Sequence, residues 1–219
     1  MPLGELHREI AAIALRAAAP YGFALAGGCA LIAHGVIDRP TEDVDLFTDD
    51  EHGVQAAADA VEASLRAAGF DAERQDKTGG LAEVFPGMGE GLAEWIIIAP
   101  GGRRMMLQMS YFDRGCQPVV MDIGPVLDLD DVVGGKTVAL ASRAVERDYI
   151  DTAAALDRGY SVGQLIGLAQ NLDPGLTGED FADAGHRLDH LDDEAFARYD
   201  LGPADVARIR ERFAEWPRA

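Results

Sequence analysis

From Glu5 to Ala18 apolar residues recur at helical spacing, with Leu6, Ile10, Ile13, Ala14 and Ala17 forming a stripe that stops at Pro20. This predicts a first helix. Phe23 to Ala26 is a short apolar strand, and Gly27-Gly28 predicts a turn into a short helix from Cys29 to His34. Asp43 to Phe47 alternates with period two, so Val44 and Leu46 face one way and Asp43 and Asp45 the other. Gly53 to Ala68 is an alanine-rich helix ending at Gly69, and Phe70 to Arg74 is a further strand. Residues 78–91 are glycine-rich and carry no clear period. Glu94 to Ala99 and Arg103 to Phe112 flank Pro100-Gly101-Gly102, a hairpin signal, and Pro118 to Ile123 reads as one more strand.

After Leu127 the pattern turns helical. Asp130 to Arg143 is a helix with Gly134-Gly135 as an interruption, and Glu146 to Asp157 is another. Ser161 and Thr177 are suitable N-cap residues for two more helices, and Pro203 to Trp216 is a final amphipathic one. The expected architecture is an α/β core over residues 1–126 and a helical C-terminal lobe over 127–219. No internal repeat or low-complexity segment interrupts it.

Composition narrows the classes. The 219 residues are 48% apolar and 26% charged, as in an ordinary globular protein. No run approaches the roughly 18 apolar residues of a membrane span, and the N-terminus lacks a basic start followed by an apolar segment. A cytoplasmic protein without a membrane partner, its Cys29 and Cys116 reduced, is the expectation. The net charge of −19 argues against broad nucleic-acid binding, which relies on Lys and Arg neutralising phosphates. Acidic residues crowd between Asn171 and Asp205, which reads as a solvated face. Arg103, Arg104, Arg114, Lys136, Arg143 and Arg147 bunch elsewhere, leaving room for a local positive track.

The chemistry concentrates in FALAGGCALIAHGVIDRPTEDVDLF, Phe23 to Phe47. A strand that ends in Gly27-Gly28 and opens a helix lets backbone N–H groups approach an anion, because no side chain intervenes. Asp43 and Asp45 then share one face of a strand. Two carboxylates side by side repel unless a cation sits between them. A hard, oxygen-seeking ion such as Mg²⁺ suits them and brings phosphate oxygens as further ligands. Arg39 and Thr41, just before the strand, are candidates to touch a phosphate tail. Gly-Gly alone is usually a turn, and Asp-x-Asp alone is usually a strand edge. Their joint order is far more specific.

Gly27-Gly28-Cys29-Ala30-Leu31, His34-Gly35 and Arg39-Pro40-Thr41-Glu42-Asp43-Val44-Asp45-Leu46-Phe47 resemble the active-site signature of DNA polymerase β-like nucleotidyltransferases, and more narrowly of the AbiEii/AbiGii-type nucleotidyltransferase toxins. That family's second element, a helical lysine followed by Arg-Asp-x-x-Asp, is matched by Lys136 in Gly135 to Leu140 and by Arg147-Asp148-Tyr149-Ile150-Asp151. The resemblance implies an α+β nucleotidyltransferase core with a mixed sheet, and a helical lobe that completes the active site. It implies Asp43 and Asp45 as ligands of Mg²⁺ or Mn²⁺, and Gly27, Gly28, Arg39, Thr41 and Lys136 as nucleotide-binding residues. Lys136 offsets triphosphate charge, Asp148 orients it or acts as a base, and Asp151 lies one turn further on. A hydroxyl then attacks the α-phosphorus of an NTP and pyrophosphate leaves. The resemblance further implies a bacterial toxin with a cognate antitoxin, and a tRNA 3′ end as acceptor.

One position departs from that pattern. Polymerase-like members carry a third carboxylate on the strand beside Asp-x-Asp. The matching strand, Arg103 to Phe112, has the neutral Gln108 at its middle. Either one metal is held rather than two, or Asp113 or Asp122 substitutes, and Asp148 becomes the leading base. Two rival readings stand beside the first. One is the same chemistry on a protein hydroxyl or on a small molecule such as an antibiotic. The other is a degenerate protein that binds a nucleotide or a partner without catalysis.

Overall fold

A computed structural model describes residues 3–75 and 91–219. The glycine-rich stretch at 78–91 falls, apart from Gly91, outside the described residues. The chain divides into two compact units: residues up to Ala33 with Thr41–Asp128, and His34–Pro40 with Leu129–Ala219.

The first unit is an α/β body. In chain order it contains α1 (Glu5–Ala17), a 3₁₀ turn (Ala19–Tyr21), β1 (Ala24–Ala26), α2 (Gly27–Ala33), β2 (Asp43–Thr48) and α3 (Gly53–Ala67). β3 (Asp71–Arg74), β4 (Leu92–Ile98), β5 (Arg104–Tyr111), β6 (Val119–Met121) and β7 (Gly124–Val126) follow. The described strands form one mixed sheet in the order β3-β4-β5-β2-β1-β7-β6, parallel between β2 and β5 and between β1 and β7. Alternation decides its two faces. Val44, Leu107 and Trp95 sit in register across β2, β5 and β4, and all three are buried. This is the face that α3 covers, and the Trp95 indole donates to Glu62 on that helix. Of the predicted α1 stripe Leu6, Ile10 and Ala14 are buried, Ile13 and Ala17 are half-buried, and Ala11 and Leu15 join the core instead.

The second unit is helical: α4 (Leu129–Arg143), α5 (Glu146–Asp157), α6 (Val162–Leu172), α7 (Gly178–His190), a 3₁₀ segment (Asp193–Tyr199) and α8 (Pro203–Arg212). Its core includes an aromatic chain in which Tyr149 meets Phe213 at 5.5 Å, Phe213 meets Trp216 at 5.0 Å and Trp216 meets Phe181 at 6.4 Å. Burial comes with satisfied polar tips. The Tyr149 hydroxyl donates to the Ala184 carbonyl and the Trp216 indole to the Phe181 carbonyl. Burial also pushes the Tyr149 hydroxyl up to about 12. Ser161 caps α6, its hydroxyl accepting from the Gln164 amide.

Four expected elements differ. Gly134-Gly135 does not interrupt α4. A Cβ on Gly134 would meet Leu172 Cδ1 at 2.9 Å and Leu168 Cβ at 3.3 Å, so glycine there lets α6 approach. Gly27-Gly28 begins α2 instead of forming a separate turn. Pro118–Ile123 is not one strand, because the chain turns at Asp122-Ile123 and returns as β7, with Gly124 at φ +123°. The last helix stops at Arg212, and the chain leaves it to bury Phe213 and Trp216.

Candidate active site

In the α/β unit the site grows from β2. Asp43 and Asp45 point away from the buried Val44 and Leu46, and both are partly exposed. Asp45 pairs in register with Ala26 of β1 and Gln108 of β5, and Asp43 pairs with Met106. The Asp45 carboxylate rests against the α-carbon of Gly27, where a Cβ would stand 1.8 Å from Oδ2. Gly27 adopts φ +58°, a conformation L side chains rarely take, so both the space and the backbone require glycine.

Asp43 is held by two contacts, and His7 holds the neighbouring Thr41. The Thr41 hydroxyl donates to its Oδ1 at 2.9 Å, the buried Cys29 thiol donates to its carbonyl at 3.3 Å, and His7 Nε2 lies 2.9 Å from the Thr41 carbonyl. Burial holds the His7 imidazole below its ordinary pKa. Among the described residues no three His, Cys, Asp or Glu side chains converge as a metal cluster. The donor set is therefore two hard carboxylates beside a glycine cradle. That set suits an oxygen-seeking ion whose remaining ligands come from phosphate and water.

Neither proposed substitute for the third carboxylate is brought to this pair. Asp113 follows β5 beyond Tyr111, the partner of Thr48, at the far end of β2 from Asp43. Asp122 lies in the β6–β7 turn, at the end of β7 away from Ala26. Gln108 does sit beside Asp45, and Glu94 of β4 pairs with Gln108 on the next strand out. Glu94 is a buried acid on the carboxylate face of the sheet. Its strand was expected, but its place on that rung depends on a register that sequence does not display.

The helical unit carries the second constellation. Asp151, fully buried, accepts two hydrogen bonds from Arg39, from Nε and Nη2, each at 2.7 Å. Lys136 Nζ lies 3.0 Å from Asp151 Oδ2. Burial pushes the Asp151 carboxyl up, but the Lys136 charge and the Arg39 hydrogen bonds outweigh it and hold it below the carboxylate range. Two cations thus share this one buried anion. Arg39 also lies 5.7 Å from the centroid of the Tyr199 ring. Segment His34–Pro40 is anchored to this unit by that pair and by Arg158, which donates to the His34 carbonyl.

Asp148 occupies a different position from the one expected for orienting Lys136. Its carboxylate is fully buried, accepts two hydrogen bonds from Arg143 and accepts a third from the Val145 amide at the start of α5. Asp151 makes the contact with Lys136 instead.

The profile of the nucleotidyl transferase AbiEii toxins of type IV toxin–antitoxin systems matches residues 11–215. The chain belongs to the AbiEii nucleotidyltransferase family. The AbiEii chain is thus a nucleotidyltransferase, as its Gly-Gly and Asp-x-Asp signature implied. Its fold is similar to MenT4, a nucleotidyltransferase toxin from Mycobacterium tuberculosis H37Rv, with a TM-score of 0.64 and 16% identity over 95% of this chain and 82% of that one. It is also similar to JHP933 from Helicobacter pylori, with a TM-score of 0.59 and 13% identity over 96% and 91%. No curated protein sequence matches it. Among the described residues no helix is long and apolar enough to cross a membrane.

Proposed function

We propose that this AbiEii-family enzyme transfers a nucleotide from an NTP to an RNA hydroxyl, a tRNA 3′ end, and that it is the toxin of a pair restrained by a cognate antitoxin. The observation that carries the chemistry is Asp43 and Asp45 side by side on one sheet face, with Asp45 seated on Gly27. These two carboxylates hold Mg²⁺ or Mn²⁺, which when bound neutralises charge on the triphosphate.

The chain's own residues supply positioning. Gly27 and Gly28 keep backbone N–H groups open to phosphate oxygens. The Thr41 hydroxyl orients Asp43. Lys136 and Arg39 present positive charge to the nucleotide, and Asp151 is the positioning residue for both. Asp148 serves by fixing Arg143 and the first turn of α5.

A protein hydroxyl as acceptor is the second reading, and a specific observation favours it. Arg104 lies near Glu73, and Arg114 pairs with Asp49 and donates to the Gly22 carbonyl. Both are thus partly neutralised as a track for a phosphate backbone. Incubating the enzyme with each labelled NTP and either total tRNA or a cell protein extract separates the two. Label on tRNA is expected. Label on protein alone, with tRNA untouched under all four NTPs, overturns the RNA assignment.

A further inference from the structure

One contact to the loop that leads into β2 comes from outside the matched family span. His7 lies on α1, before residue 11 where the family match begins. The acceptor for its ring is a backbone carbonyl, that of Thr41, so Nε2 carries the hydrogen and donates across 2.9 Å. On the ring's other side a Cβ at residue 4 would stand 3.0 Å from Nδ1, so Gly4 leaves the imidazole room to lie where it does. α1 itself is pinned by the buried Leu6 and Ile10 flanking His7. The ring is therefore a fixed post against a loop residue 34 positions away in sequence.

The post acts on one bond. Thr41 uses its hydroxyl to hold Asp43 Oδ1 at 2.9 Å. Where the Thr41 peptide sits decides whether that hydroxyl reaches Asp43. A small, hard cation such as Mg²⁺ demands near-ideal octahedral ligand placement, so the rotamer of a carboxylate ligand controls affinity.

We propose that His7 is a positioning residue for nucleotidyl transfer: its Nε2–H fixes the Thr41 peptide, the Thr41 hydroxyl fixes the Asp43 carboxylate, and the relay sets the affinity of the Asp43–Asp45 pair for its divalent cation. The inference rests on the metal reading of that pair. A hydrogen-bonded partner behind a metal ligand is worth about 10–100-fold in metal affinity.

The test is Mn²⁺ binding, read by the loss of the free-ion electron paramagnetic resonance signal, with no nucleotide present. His7→Phe keeps a flat ring and removes the donor, His7→Gln restores an N–H of similar reach, and Thr41→Val removes the hydroxyl alone. His7→Phe and Thr41→Val are expected to weaken Mn²⁺ binding about tenfold or more. His7→Gln should recover most of the loss. At saturating Mg²⁺ the kcat and NTP KM of His7→Phe should lie within about threefold of the parent, so that the defect is confined to metal affinity. Wild-type Mn²⁺ affinity in folded Thr41→Val, or a His7→Gln protein no better than His7→Phe, overturns the relay. Asp45→Asn, measured alongside, separates the two claims. If it also binds Mn²⁺ like the parent, the metal reading fails first and the relay falls with it. If it loses binding while Thr41→Val and His7→Phe do not, only the relay falls.

Discussion

The carboxylate of Asp45 rests on the bare α-carbon of Gly27, with Oδ2 only 1.8 Å from where a Cβ would be. With φ +58° and no Cβ, Gly27 leaves the space that the Asp45 carboxylate fills. Gly27→Ala must displace the Asp45 side chain and strain the backbone by about 1–2 kcal/mol. Turnover should fall by more than tenfold while circular dichroism still reports a folded protein. Near-normal turnover would show that Asp45 need not sit there.

Lys136 and Arg39 share one buried partner. Lys136→Ala leaves Asp151 its two hydrogen bonds from Arg39, so the fold should survive. NTP affinity should drop, because one positive charge beside Asp151 is gone. Lys136→Arg should rescue only in part, since a planar fork does not replace a point charge. Unchanged NTP titration and rate in Lys136→Ala would make this lysine a purely structural partner of Asp151.

Asp151 also sets an acid limit. Its folded pKa lies below the ordinary carboxylate value, so its contribution to stability is complete above the unfolded pKa. That contribution is lost as pH falls through the folded value. Below about pH 4 the parent should lose stability more steeply than Asp151→Asn, which has no proton to take up. Equal slopes in urea unfolding between pH 5 and pH 2 would contradict the pairing.

Asp148 predicts a different phenotype. Losing its bonds to Arg143 and to the Val145 amide should cost about 2–4 kcal/mol in Asp148→Ala. At temperatures where the variant stays folded, NTP affinity should be close to normal. A stable variant that has lost all turnover would instead return Asp148 to the role of base.

The parts of the site that sequence displays are those encoded over short spans. Period-two alternation in β2 put Asp43 and Asp45 on one face, and that face is the open one. What stayed hidden was set by long-range placement. Arg39 and Asp151 are 112 residues apart, and their pairing draws His34–Pro40 into the helical unit. Lys136 lies before the break at Ala144, so helical periodicity could not carry from it to Asp148 or Asp151 across α4 and α5. Gly134 looked like a helix breaker because glycine disfavours helices in isolation, whereas here it makes room for Leu168 and Leu172. His7 lies beside the apolar stripe of α1, next to the core residue Leu6, with nothing local to mark its bond to Thr41.

We propose above that Asp43 and Asp45 together make a divalent-metal site for nucleotidyl transfer. Its most direct measurement is pyrophosphate release from NTP in the presence of tRNA, titrated with Mg²⁺, for the parent and for Asp45→Asn, with thermal unfolding followed in parallel. Saturable Mg²⁺-dependent release is expected in the parent and none in Asp45→Asn. The metal-free variant should unfold at the same temperature or higher, because one member of a repelling carboxylate pair is gone. Its stabilisation by Mg²⁺ and NTP should vanish. A folded Asp45→Asn enzyme that releases pyrophosphate at the parental rate, with the parental Mg²⁺ dependence, would contradict it.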